Sequence, residues 1–275
     1  MSCAASEREV NFKMKKTLTL LAAAAVLLAA AGCAGAAKPL EGKKYVLAIN
    51  ATFSPYEFVQ ADDSGGKKIV GFDIDVLNTI AENLGFTYDL EDMNFSGLIG
   101  QLQSGRADFV ISGMSPTEER RKSVDFSVPY FHCKTALVSP TAAPLKGLAD
   151  MKGKDIAAVF GTNYANVIEI AGARPQLLDN SVMVMQELRS GRTDGIVMDA
   201  TQAYVNFKDD AAFTSVILPA EELESKGWKQ SGTFAIAFQK GSELVPLFNQ
   251  QIEQMEKDGT MKKLIVKWMG ESFLQ

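Results

Sequence analysis

Two stretches of this chain are versions of one another. QSGRADFVISG occupies 103–113 and RSGRTDGIVMD occupies 189–199, and both read Ser-Gly-Arg-x-Asp followed by an apolar run. A helical pattern precedes each copy, FSGLIGQLQSG at 95–105 and VMQELRSG at 184–191. A helix closed by glycine, a short turn, an aspartate and a buried strand make one unit of layered α/β structure. Two such units predict two lobes of similar build. The shared Arg106/Arg192 and Asp108/Asp194 are read as turn and cap chemistry rather than as ligand contacts.

The rest of the chain fits alternating strands and helices. YVLAIN (45–50) reads as a strand. GFDIDVLNTIAENLG (71–85) sets Ile74, Leu77, Ile80, Ala81 and Leu84 at helical spacing, with Gly85 placed to stop the helix. FTYDL (86–90) and DFVIS (108–112) are strands. In the second half, DIAAVFGTN (155–163) is a strand and turn, YANVIEIAG (164–172) a helix, GIVMD (195–199) a strand and ATQAYVNF (200–207) a helix. The segment 232–270 gives a strand and two helices, with Leu244, Leu247, Phe248, Ile252 and Met255 as a core stripe. A tail of this length is expected to return to the first lobe, so that the chain crosses between lobes twice.

Aligning the repeat sets Gly113 against Asp199, each at the carboxyl end of its strand. Open α/β sheets bind ligands at that edge. After the first copy come Ser112, Gly113, Ser115 and Thr117, then Glu118, Glu119, Arg120 and Arg121. Hydroxyls and a bare backbone suit an anion, and arginine can form two parallel bonds to a carboxylate. Thr117 is expected to cap a helix instead. Arg120 is either the anion ligand or a surface arginine paired with Glu118 or Glu119. Asp199 either caps the helix 200–207 or holds a cation. Facing one another across a cleft, an anion site and a carboxylate describe an α-amino acid. Phe53 and Phe95 follow strand ends and are either core or the walls of such a cleft.

Composition narrows the alternatives. The 275-residue chain is 47% hydrophobic and carries a net charge of −5, which excludes a global basic field for nucleic acid. A single histidine, His132, disfavours histidine-based metal or triad chemistry. No cofactor and no metal are expected. At the N-terminus, Met14-Lys15-Lys16 precedes an apolar, Ala-rich run from Thr17 to Ala31 and then Gly32-Cys33. Such a basic start, short apolar core and small residues read as a secretory signal. The run is short for a membrane span, which needs roughly 20 apolar residues. Residues 1–13 are read as an upstream start-site artefact, 1–33 as a signal peptide and 34–43 as a tether. The small residues before Cys33 resemble a lipobox, which implies lipid on that cysteine. Only Cys133 is then left in the folded part, so no internal disulfide is expected there.

SPYEF, GFDIDV, FSGLIGQLQSGRADFVISGMSPTEERRKSVDFSVPY, LADMKGKDIAAVFGTN, GRTDGIVMD and DGTMKKLIVKWMG stand in this order from about residue 44 to 270. In these blocks the chain resembles the polar amino acid-binding proteins of ABC importers, solute-binding protein family 3, in lipoprotein form. The resemblance implies an α/β, two-lobed periplasmic-binding-protein-like fold, with a central mixed sheet in each lobe and a two-crossing hinge. Lobe one is expected at 44–138 and 232–275 and lobe two at 139–231. The resemblance also implies roles for individual residues. Arg120, rather than Arg121, would hold the α-carboxylate, with Ser112, Gly113 and Ser115 beside it. Thr162 and Asn163 of the Gly161-Thr162-Asn163 turn would complete the cradle. Asp199 would bind the ammonium, and Phe53 and Phe95 would stack on the side chain. Members that take basic amino acids, and some that take glutamine, carry Asp where this chain has Asn50, so a neutral side chain is expected.

The implied function is capture of a free amino acid outside the cytoplasm by a monomer anchored to the membrane through Cys33, for delivery to an ABC importer permease. Two alternatives are an enzyme on the same fold, of the cyclohexadienyl dehydratase type, and an amino acid sensor module. The anchor can be tested directly. Cys33→Ser should release the protein from the membrane fraction and leave ligand affinity unchanged. A wild-type protein that is already soluble, beginning at an unmodified residue beyond Cys33, would disprove it.

Overall fold

The computed structural model describes residues 38–62, 64–228 and 232–274. The chain divides into two compact units, Met1–Glu41 and Gly42–Gln275. The described part of the first is a turn, in which the Glu41 N–H donates to the Lys38 carbonyl at 3.1 Å. The expected signal peptide and Cys33 lie outside the described residues.

The second unit builds two five-stranded sheets of the same order. In the first, Lys44–Ile49 lies parallel between Thr87–Asp92 and Phe109–Val110. Ala237–Gln239 then runs antiparallel between Phe109–Val110 and Val124–Phe126. In the second, Asp155–Val159 lies parallel between Arg174–Leu178 and Gly195–Asp199. Thr135–Pro140 runs antiparallel between Gly195–Asp199 and Phe213–Leu218. The sequence repeat thus supplies the central strand of each sheet, and the fold is the mixed α/β, two-lobed one expected.

The repeated aspartates do the same job twice. Asp108 Oδ2 accepts from the Val46 N–H at 2.7 Å, and Asp194 Oδ2 accepts from the Asp155 N–H at 2.9 Å. Each aspartate also returns its own N–H to the same partner's carbonyl. A strand needs its first donors satisfied where no neighbour reaches them. The aspartate supplies that acceptor and fixes the register of the central strand against the one beside it.

Period-two burial explains the layering of the second sheet. Ile156, Ala158, Val197 and Leu137 face one core cluster with Val167, Ile168 and Trp228. Ala157, Ile196, Met198, Ala136 and Val138 face the other, with Val184, Leu188, Ala203 and Phe207. The sheet is therefore buried on both faces, as strands flanked by helices must be. On the first sheet, the helix Phe72–Leu84 buries Val76, Leu77 and Ile80, and it ends at Gly85 in the left-handed conformation.

The chain passes between the sheets through a two-stranded ribbon in which Phe131–His132 pairs antiparallel with Thr233–Phe234. The second sheet begins at Thr135, ahead of the residue 139 expected from sequence. The run from Phe131 to Val138 holds no glycine or proline to mark the change of sheet. After the ribbon the chain rejoins the first sheet through Ala237–Gln239 and adds the helices Leu244–Lys257 and Thr260–Met269. A short hairpin array, Thr52–Phe53, Glu57–Ala61 and Lys67–Val70, was not anticipated, and it carries Phe53 and Glu57. Among the described residues no helix is long and apolar enough to cross a membrane.

Because Asp108 and Asp194 make equivalent bonds, Asp108→Ala and Asp194→Ala should each lower stability by about 1–2 kcal/mol, the cost of stranding one strand donor. Urea unfolding checks this. A loss at one position only would show that the two units are not equivalent.

Candidate functional site

A cavity lies where the carboxyl ends of both sheets meet. Asn50, Phe53, Glu57, Phe95, Ser112, Gly113, Ser115, Arg120 and Phe234 line it from the first-sheet side. Val159, Thr162, Asn163, Tyr164, Ser181, Val184, Val197, Met198 and Gln202 line it from the second. Nine of the ten ligand-contact residues expected from sequence are in that wall. The tenth, Asp199, lies immediately behind it.

Arg120 is in the helix Glu118–Ser123, whose start is capped by the Thr117 hydroxyl accepting from the Arg120 N–H at 3.2 Å. Its guanidinium reaches away from Glu118 and Glu119. Nη1 donates to the Ser115 carbonyl at 2.9 Å and Nη2 to the Gly161 carbonyl, on the opposite side of the cavity, at 3.0 Å. The group lies over the Phe95 ring, 5.3 Å from its centroid. No carboxylate among the described residues pairs with it. Burial pushes its pKa down to about 10. Arg121 turns elsewhere, donating to the Pro116 carbonyl and covering Phe126.

Asp199 ends the strand Gly195–Asp199 and caps the next helix, accepting from the Gln202 N–H at 3.0 Å through Oδ1. The same Oδ1 accepts from the Tyr56 hydroxyl at 2.9 Å, a bond that joins the two lobes. The cap and the cation-site alternatives are thus compatible, since Oδ2 is buried and keeps no hydrogen-bond partner of normal geometry. Burial raises the carboxyl to about 6, against the lowering effect of the Gln202, Tyr56 and Thr201 donors. Three residues on, Gln202 is also buried, and its Nε2 has no partner. Helix capping explains an Asp-x-x-Gln start. It does not explain the buried Gln202 Nε2 left without a partner at the cavity wall.

Two expected anion donors are spent inside the protein. The Gly113 N–H donates to Asp73 Oδ2 at 2.9 Å, and the Ser112 hydroxyl donates to Glu57 Oε1 at 2.6 Å. Gly113 is required for another reason. It has φ 51°, and a Cβ there would overlap the Phe53 ring. Asn50 is also held by its neighbours. Its Nδ2 donates to the Met93 carbonyl at 2.7 Å, and its Oδ1 accepts from the Thr52 hydroxyl at 2.8 Å. The Thr162 hydroxyl donates to the Val159 carbonyl, which tightens the turn that carries Asn163. Phe53 stacks on Tyr56, with centroids 4.6 Å apart. The sequence patterns do not single out Glu57, Tyr56, Tyr164, Ser181 or Gln202 as site residues. SPYEF and the Asp-x-x-Gln spacing were the signals present for three of them.

Residues 45–271 match the family model for bacterial extracellular solute-binding proteins, family 3. The chain belongs to this family. It is 32% identical over 261 residues to the arginine-binding extracellular protein ArtP of Bacillus subtilis (strain 168), covering 93% of this chain and 98% of that one. It is also 32% identical over 230 residues to the L-cystine-binding protein TcyJ of Escherichia coli (strain K12), covering 82% of each. Among solved structures, an ancestral arginine-binding protein bound to glutamine superposes with a TM-score of 0.72 at 38% identity, covering 83% of this chain and 98% of that one.

Both charged ends can be tested in one titration series. Arg120→Ala should lose about 2–5 kcal/mol of ligand binding, because the bound carboxylate is left buried and unpaired. Arg121→Ala should bind within a few-fold of wild type. An ammonium ligand needs Asp199 ionised, and its free carboxyl titrates at about 6. Affinity should therefore be full above that pH and fall by up to about tenfold per unit below it. Asp199→Asn should bind weakly with a flatter profile. Wild-type affinity independent of pH between about 5 and 8 would remove the ammonium role.

Proposed function

We propose that this protein is an extracytoplasmic receptor that captures a free α-amino acid and delivers it to an ABC importer permease. The carrying observation is the Arg120 guanidinium in the cavity wall, held only by carbonyls, and the buried Asp199 carboxylate between the lining residues Met198 and Gln202. A zwitterion satisfies both at once. Arg120 takes the carboxylate, with Ser115 and Asn163 beside it. Asp199 Oδ2 takes the ammonium. Phe53 and Phe95 flank the side chain. Lobe two is the segment from Thr135 to Trp228, closing as a hinged body through the Phe131–His132 and Thr233–Phe234 ribbon. The protein acts as a monomer held at the membrane by lipid on Cys33.

The side chain is neutral and polar on this reading. Asn50 replaces a carboxylate, and Gln202 offers an unpaired N–H. A second reading, arginine, is supported by the names of relatives such as ArtP and by the Glu57 carboxyl in the cavity wall. An enzymatic role for Glu57 is disfavoured because that carboxyl is engaged by the Ser112 hydroxyl. Competition calorimetry across the common amino acids should rank a neutral polar ligand above arginine, lysine and histidine. A basic amino acid as the tightest ligand would refute the neutral assignment. Binding of none would refute the receptor.

A further inference from the structure

We propose that Glu57 is a positioning residue that holds a proton in a hydrogen bond to Asp73, and that the pair fixes the Ser112–Gly113 turn forming the cavity wall. The inference rests on the receptor reading only for its affinity readout.

The two acids come from different elements, the strand Glu57–Ala61 and the first turn of the helix Phe72–Leu84, and both are wholly inaccessible to solvent. Each has one oxygen fully accounted for. Glu57 Oε1 accepts from the Ser112 hydroxyl at 2.6 Å. Asp73 Oδ2 accepts from the Gly113 N–H at 2.9 Å and from the Tyr130 hydroxyl at 2.7 Å. The other oxygens, Glu57 Oε2 and Asp73 Oδ1, are buried with no donor. The groups that hold the two acids, the Ser112 hydroxyl and the Gly113 N–H, belong to consecutive residues, which sets the two carboxyls side by side. Two carboxylates have no hydrogen to share. A single proton between them satisfies both open oxygens and removes one of two like charges from the interior.

Position decides which acid carries it. Asp73 already receives two donors, which favour its charged form. Burial raises it only to about 6. Glu57 receives one donor and is pushed far higher, first by burial and then by the Asp73 charge. The other titratable groups facing the pair are Asp92, which raises Glu57 further, and the Tyr130 phenol. No cation is among the charges acting on either acid.

The proton completes a chain of bonds that ends at ligand-binding backbone. The Asn50 N–H donates to Ser112 Oγ at 3.1 Å, Ser112 to Glu57, Glu57 to Asp73, and Gly113 to Asp73. Removing the proton sets two anions against each other and frees the turn on which Phe53 packs.

Glu57→Gln keeps a donor for Asp73 and an acceptor for Ser112, whereas Glu57→Leu keeps neither. In urea unfolding, Glu57→Gln should stay near the wild-type midpoint. Glu57→Leu should unfold earlier and bind the amino acid found in the calorimetric survey about tenfold or more weakly, the cost of stranding buried polar partners. Infrared spectra in heavy water supply a readout that packing alone does not move. At about pH 8, well above Asp73 and Asp199, the wild type should show a protonated-carboxyl C=O stretch that Glu57→Gln lacks. Absence of that band, or Glu57→Gln unfolding as early as Glu57→Leu, overturns the proposal. The infrared comparison stands if Glu57→Leu does not fold. It also stands if the wild type binds no amino acid, in which case the receptor reading fails separately.

Discussion

Everything in this molecule is arranged around the cost of burying charge without a counter-ion. A guanidinium removed from water and given only carbonyl partners is expensive, as is a carboxylate with an empty lone pair. The fold accepts both at Arg120 and Asp199 and partly offsets them with dipoles. Carbonyls from both lobes receive Arg120, and the Tyr56 hydroxyl and the helix start at residue 200 receive Asp199. A bound zwitterion replaces those partial compensations with full charges in a dry setting where Coulomb attraction is strong.

The aromatic walls are tied to the same two charges. Phe95 lies under the Arg120 guanidinium, so the ring proposed to flank the ligand's side chain also supports the arginine proposed to hold its carboxylate. Phe53 stacks on Tyr56, whose hydroxyl reaches Asp199. Moving either ring therefore disturbs a charged end as well as the apolar surface. Side-chain fit and backbone grip are mechanically linked.

Much of this was legible in the residues. The repeat located the two central strands, and the helix 200–207 and strand 195–199 fall where their patterns place them. Arg120 separates from Arg121 because one helical step turns the two side chains in different directions. What was not legible had long-range causes. Glu57 and Asp73 are 16 positions apart in sequence, and only the hairpin and the following helix bring them together. Gly113 was read as bare backbone for a ligand, yet its amide belongs to Asp73 and its missing Cβ makes room for Phe53. The edge strands Arg174–Leu178 and Phe213–Leu218 lack a clean alternation, and the crossing near residue 134 has no turn residue to announce it.

The ribbon between the sheets also sets an order in time. All five strands of the second sheet come from one uninterrupted stretch, from Thr135 to Leu218. The first sheet takes its fourth strand, Ala237–Gln239, from beyond that stretch, and inserts it between Phe109–Val110 and Val124–Phe126. Until the last forty or so residues have emerged, the chain has a sheet with a gap in its middle. A polypeptide travelling from its N-terminus through a narrow translocation channel cannot complete its first lobe before nearly all of it has passed. The topology therefore makes the first lobe wait for the C-terminal segment, whereas the second has all its strands once Leu218 has emerged.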